Sequence, residues 1–358
     1  MGAFYFLLLI FVRHVYFYVY PGKEMKKNSA LLRIPFLTAV TFVFFLFIGC
    51  EDPEPEQTGY IQTVPQDTFP ELGHDGPYFE DSIYFGREQY IEFHAGSLPI
   101  ILSAPHGGWK EPTEIPDRTE GTTITDINTY QLTRVIMDTL MARFGGKPHV
   151  ILCLLERLKL DANRDVDEAA GGNLYAERAW AEYHHYLDIA KELVTMNHGS
   201  GIVFDIHGHG ENPDGYYDLR TWLGYLIKGD ELDLPDEDLN TTAFKNQSSI
   251  KALADSSTYA FINILRGETS FGTIMDSLGY ACVPSVNDLG PAGSRYFSGG
   301  YITARYGSRD GGIISAIQVE LPQPGIRDLE ENWSSYASAF ATAVGAYYGH
   351  HLGRNMQP

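Results

Sequence analysis

Basic residues are scarce in this chain: 26 Lys and Arg stand against 46 Asp and Glu, a formal charge of -20. A surface of that sign excludes nucleic acid as a partner, because phosphate binding needs a basic footprint. Cysteine is scarcer still. Cys50, Cys153 and Cys282 are the three present, and no two have CxxC spacing. Neither a thiolate zinc site nor a disulfide-dense scaffold is supported, and the spacing leaves open whether Cys153 and Cys282 pair. The chain also lacks a GxSxG elbow, an HExxH helix, a Walker A loop and a dinucleotide fingerprint. Serine esterase, zincin, NTPase and Rossmann dehydrogenase readings therefore lose their main warrant.

What is present is the composition of a packed protein. Of 358 residues, 44% are apolar and 13% aromatic, which is not a disordered composition. A body of this length can share one core, so one large domain is expected.

The amino-terminal part reads as an address. Residues 34–49 are almost uninterruptedly apolar, preceded by Lys26, Lys27 and Arg33 and followed by Cys50 and the acidic, proline-rich run Glu51 to Glu56. This is the pattern of a basic n-region and a signal h-region, too short for a comfortable membrane span. Ile48-Gly49-Cys50 resembles a bacterial lipoprotein processing site, with Phe47 where Leu is usual. The resemblance implies that Cys50 is lipidated and that the lipid anchors the chain in the cell envelope, at the outer membrane or cell surface rather than the inner membrane. Such a signal starts at Met25, which makes residues 1–20 upstream sequence. The alternative, two membrane helices, has Arg13, His14 and Pro35 interrupting its runs. The expected organisation is a signal segment over 1–49, a lipidated acidic tether over 50–77 and a folded body over 78–358.

Within the body, short apolar runs end at Gly, Pro or polar clusters: 100–102, 150–155, 202–204, 281–283 and 313–321. Between them, helical spacing covers 127–144, 175–196 and 256–265, and a last helix is expected over 329–348. Strands alternating with helices of this length imply an α/β sheet with helices on both faces. The segment 210–246 is acidic and irregular, and reads as a solvated insertion ahead of a calcium loop, because its carboxylates lack glycine-punctuated spacing.

Ligands of open α/β sheets bind beyond the carboxyl ends of strands, so the residues following each run matter most. His106-Gly107-Gly108 follows the first run. Asp205, His207 and His209 end the third, where Asp205 and His207 share one strand face and a carboxylate can set an imidazole's tautomer. These two histidine-bearing ends suit a divalent metal, with structural histidines as the even alternative. Glu156-Arg157 and Asp161-Ala162-Asn163-Arg164 follow the second run and read either as an anion clamp or as a surface turn with ion pairs. Gln318-Val319-Glu320 puts a carboxylate near the end of the last run, where burial can raise its pKa into the range of a general base.

In chain order, Pro-His-Gly-Gly, Asp-x-Asn-Arg, Asp-x-His-x-His, Gly-Gly-Tyr and Gln-x-Glu resemble the N-formylglutamate amidohydrolase family, related in fold to zinc carboxypeptidases and aspartoacylase. The resemblance runs from about Leu98 to Arg327. It implies a three-layer sandwich with a mixed, mostly parallel central sheet flanked by helices. It also implies one zinc ion held by His106 and His207, with Asp205 orienting. Arg157 resembles the arginine that polarises the scissile carbonyl, Asn163 and Arg164 the pair that holds a substrate carboxylate, and Glu320 the glutamate that activates water. Tyr301, in Ser298-Gly299-Gly300-Tyr301, and Arg305 fall in a segment near the site and are assigned to substrate shaping. The carboxypeptidase pattern His-x-x-Glu is broken by Trp109. Asp126 is preferred as the third ligand over Glu111, while His209 serves as a substrate or backbone contact, or as a further candidate ligand.

The implied activity is zinc-dependent hydrolysis of a C–N amide bond in a carboxylate-bearing small molecule or peptide. An envelope address fits an acylated amino acid, a peptide or a peptidoglycan fragment better than an intracellular intermediate. The rival readings are a non-catalytic envelope lipoprotein that binds a metal or a carboxylated ligand, and a metallo-carboxypeptidase.

Overall fold

The computed structural model describes Phe69, Leu72, residues 76–80, and residues 82–358 apart from 213, 214 and 354. The expected signal segment, Cys50 and most of the expected tether lie outside these residues.

Among the described residues, eight strands form one sheet in the order β1-β2-β4-β3-β5-β8-β6-β7. Their ranges are β1 Ile83–Phe85, β2 Ile91–His94, β3 Ile100–Ala104, β4 His149–Cys153, β5 Gly201–His209, β6 Thr221–Gly224, β7 Cys282–Val283 and β8 Ile314–Pro322. The central four, β4, β3, β5 and β8, are parallel neighbours. Antiparallel pairing joins β2 to β4, β1 to β2 and β6 to β8. The architecture is therefore the expected three-layer α/β sandwich with a mixed sheet.

Side-chain alternation sorts the two faces. Ile100 and Leu102 of β3, Ile202, Phe204 and Ile206 of β5, and Ile317, Val319 and Leu321 of β8 pack with helices Thr129–Phe144 and Glu330–Leu352. Ile101, Val203, Ile314 and Ala316 point the other way, against helix Leu174–His198. Each helix is set by local chemistry. Leu132, Ile136 and Leu140 recur at helical spacing and are fully buried, each side chain contributing about 1.5–3 kcal/mol on leaving water. Asn173 caps Leu174–His198 by accepting from the Tyr175 and Ala176 amides.

Two expectations are corrected. The helix over 256–265 is broken into Lys251–Ser256 and Phe261–Leu265, because the Ser257 hydroxyl accepts the Tyr259 amide and competes with the helical ladder. The acidic segment is not a wholly solvated insertion: it contains β6, fully buried and paired with β8, followed by short helices. Cys153 and Cys282 are buried free thiols. Among the described residues, no helix is long and apolar enough to cross a membrane.

Candidate metal centre

The face that packs on helix Leu174–His198 changes character along the parallel strands. Val203 gives way to Asp205 and His207 on β5, and Ala316 to Gln318 and Glu320 on β8. Alternation thus delivers the polar ends of these strands to one place, at the point where the sheet order runs from β4 through β3 to β5. His207 and Glu320 are direct register partners.

His106 follows β3. Its carbonyl accepts the Asp126 amide at 2.9 Å, which folds the intervening segment back and brings the Asp126 carboxylate to the histidine. Gly108 allows this path, since a Cβ there would lie 2.3 Å from the Leu154 backbone. His106 Nδ1 and His207 Nδ1 are 3.1 Å apart, and Asp126 Oδ2 is 3.4 Å from each. All three residues are buried, and they form a group able to hold a metal ion.

The outer nitrogens identify what the inner ones offer. His106 Nε2 lies 2.6 Å from Asp161 Oδ1, and His207 Nε2 lies 2.9 Å from Asp205 Oδ2. A carboxylate accepts, so each Nε2 donates, and with a metal bound each Nδ1 would offer its lone pair beside Asp126 Oδ2. Three acceptors then converge on one point. Their separations match the spacing of about 3.3 Å that tetrahedral ligands at about 2.0–2.1 Å would have, so the donor set fits zinc. Burial alone would lower the pKa of His207, yet Asp205, Asp126 and Glu320 raise it well above the usual histidine range. The same excess of carboxylate favours a divalent cation over a proton. Burial opposes ionisation of Asp126 too, and the two histidines with Arg157 hold its carboxyl well below the usual range.

Around the triangle, a cavity of about 560 Å³ is lined by His106, Asp126, Arg157, Asn163, Arg164, His207, His209 and Glu320, and by Arg295 to Gly300. Arg157 Nε and Nη2 both donate to Asp161 Oδ2, at 3.0 and 2.9 Å, while Nη1 lies 3.6 Å from Asp126 Oδ1. Asp161 also accepts the Asn163 amide, so this segment is a buried turn built on one carboxylate rather than a surface turn. The Asn163 side-chain oxygen accepts the Ile302 amide at 2.8 Å, and its nitrogen is 3.3 Å from His207 Nε2. Arg164 reaches out to Glu168 and to the Asn163 carbonyl.

Glu320 is buried and accepts from Gln318 Nε2 at 2.7 Å. Burial raises its carboxyl above the usual range, His207 pulls it back, and Asp126 pushes it further up. His209 stacks on Trp222 with ring centroids 3.8 Å apart and bonds the Arg220 carbonyl through Nε2. Burial lowers its pKa to about 4. It stands outside the metal group and lines the cavity instead.

Other candidates are placed elsewhere. Glu111 is exposed and does not join the group. Tyr301 and Arg305 do not line the cavity: Tyr301 packs near Trp180 and His184, and Arg305 bonds the Tyr301 hydroxyl and Asp188. Sequence reasoning missed Asp161 as the partner of His106, although its place in Asp-x-Asn-Arg was a signal. It also missed Gln318 as the partner of Glu320.

No protein family matches the chain by sequence, and no curated protein does. Among solved structures, the chain is similar to N-formylglutamate amidohydrolase from Ralstonia eutropha JMP134, at 11% identity and TM-score 0.44, covering 71% of this chain and 95% of that one. It is similar to succinylglutamate desuccinylase from Chromobacterium violaceum, at 12% identity and TM-score 0.34, covering 75% of this chain and 67% of that one. It is also similar to the catalytic domain of an N-acetylmuramoyl-L-alanine amidase from Bacillus (Paenibacillus) polymyxa var. colistinus, at 12% identity and TM-score 0.29, covering 69% of this chain and 97% of that one.

Proposed function

We propose that the protein is a zinc-dependent amidohydrolase that cleaves a C–N amide bond in a carboxylate-bearing substrate: an N-acyl amino acid, a peptide or a peptidoglycan fragment. The observation that carries this reading is the convergence of His106 Nδ1, His207 Nδ1 and Asp126 Oδ2, with Glu320 beside them in strand register.

These three residues would hold the ion. When bound, zinc supplies Lewis acidity and lowers the pKa of a water toward 7. Glu320, with its raised carboxyl, accepts a proton from the attacking water and returns it to the leaving nitrogen. Arg157, fixed by Asp161, places positive charge where the amide oxygen gains negative charge. Arg164, at the cavity wall, receives the substrate carboxylate, and Asn163 holds the wall through Ile302.

The location is part of the proposal. Lipidation at Cys50 would tether an acidic body that anionic membranes repel, and would place the reaction in the bacterial envelope, at the outer membrane or cell surface. Cytoplasmic recovery of the unlipidated protein would remove this part.

The decisive experiment measures zinc per mole of protein and turnover of N-acyl amino acids and muropeptides in wild type, His106→Ala/His207→Ala and Glu320→Gln. Near-stoichiometric zinc in wild type and Glu320→Gln, none in the double variant, and turnover in wild type alone is the expected pattern. Zinc without turnover on any amide would favour a ligand-binding lipoprotein. Release of free carboxyl-terminal amino acids from peptides alone would favour a carboxypeptidase.

A further inference from the structure

We infer that Arg327 is a positioning residue that fixes the separation between the metal triangle and Glu320, an inference that rests on the metal-site reading above. Arg327 follows β8 and is buried. Its guanidinium donates to three carbonyls: Leu321 at 3.1 Å, His209 at 2.8 Å, and Ile127. Leu321 follows Glu320, His209 lies two residues beyond His207, and Ile127 follows Asp126. One side chain therefore ties the main chain beside the base, beside one histidine ligand and beside the carboxylate ligand. A guanidinium is a planar, rigid fork, so three acceptors bound to it keep fixed relative positions.

The brace acts from behind the site. Side chains alternate along β5, so Gly208 faces away from His207. A Cβ on Gly208 would lie 2.2 Å from Arg327 Cζ, and glycine is what admits the guanidinium there. The Gly208 amide in turn donates to Asp126 Oδ2, the oxygen of the triangle, at 3.1 Å. The Arg327 carbonyl accepts from Asn128 Nδ2 at 2.7 Å, so the segment bearing Asp126 is held at both ends of the same residue.

A control exists. Arg266 is equally buried, donates to the Leu232, Leu234 and Leu289 carbonyls and also pairs with Asp236, and none of these residues lines the cavity. The test is titration of full-length protein with Co²⁺, read by its visible ligand-field bands, alongside thermal unfolding, in wild type, Arg327→Lys, Gly208→Ala and Arg266→Lys. Lysine keeps the charge but cannot span three acceptors. Arg327→Lys is expected to bind Co²⁺ at least about tenfold more weakly and to alter the band intensities, the scale of lost outer-sphere support. Gly208→Ala keeps the arginine but displaces it, should reproduce the change, and carries the test where Arg327→Lys does not fold. Arg266→Lys should lower the melting temperature with wild-type Co²⁺ affinity and bands. Wild-type affinity and bands in Arg327→Lys, or in Gly208→Ala when only that folds, would overturn the inference, as would equal weakening in Arg266→Lys. A wild type that takes up no Co²⁺ would instead overturn the metal-site reading, and the inference with it.

Discussion

Ser103 and Asp205 stand opposite each other in register on β3 and β5, and the Ser103 hydroxyl donates to Asp205 Oδ1 at 2.8 Å. The Tyr183 hydroxyl lies 2.7 Å from Ser103 Oγ, and the second Asp205 oxygen receives His207 Nε2. A buried line of four side chains thus runs from helix Leu174–His198 to a metal ligand.

Ser103→Ala cuts this line and leaves Asp205 Oδ1 and the Tyr183 hydroxyl short of a partner. Stability in urea should fall by about 1–3 kcal/mol. Metal affinity should fall roughly tenfold as His207 loses its fixed orientation. Calorimetric titration showing undiminished affinity would mean that Asp205 holds the imidazole unaided.

Asp126→Asn keeps the shape of the carboxylate and removes its charge, so zinc content after dialysis should drop to near zero. Glu111→Gln, at an exposed position outside the group, should retain the wild-type content. The reverse pattern would move the third ligand to Glu111.

Gly300→Ala should damage the site without touching a charge. A Cβ there would lie 2.4 Å from Asn163 Nδ2 and 2.7 Å from Oδ1. The methyl must push Asn163 off the Ile302 amide, at a cost of about 1–3 kcal/mol. Substrate affinity should weaken more than metal affinity. Equal loss of both would show that Asn163 supports His207 rather than the substrate wall.

His149, at the start of β4 and outside the metal group, sets an acid limit. Burial, with a small push from His198, lowers its pKa from 6.5 to about 3. The unfolded chain therefore takes up this proton more readily than the folded one. The contribution is complete above about pH 6.5 and is lost as pH falls toward 3, on the order of a few kcal/mol. His149→Asn keeps an acceptor for the Gly96 amide, which the imidazole Nδ1 accepts at 3.1 Å. Urea midpoints between pH 7 and 4 should fall less steeply in this variant; parallel curves would sink the assignment.

The strand ends were legible in the sequence because apolar runs stop abruptly at polar clusters, and alternation alone puts Asp205 with His207 and Gln318 with Glu320. The choice between Asp126 and Glu111 was not legible. It depends on the Asp126 amide bonding back to the His106 carbonyl, a contact across twenty residues that no periodicity encodes. Short strands were missed for a related reason. β6 has four residues inside an acidic stretch, and its burial comes from pairing with β8 rather than from its own pattern. Arg327 was invisible as a brace, because its acceptors are main-chain carbonyls and leave no trace in composition.

The sheet divides its duties between its faces. His207, Asp205 and Glu320 project from one, while Phe204, Ile206, Val319 and Leu321 on the other meet only packing partners and, at the rim, the Arg327 brace. Substitutions on that second face that conserve volume cost little and leave the chemistry alone. Descendants of such a chain can drift far in their back-side core while the front stays recognisable. In the wall from Arg295 to Gly300, outside the sheet altogether, exposed Arg295 is open to change for new substrates, whereas Gly300, packed on Asn163, is not.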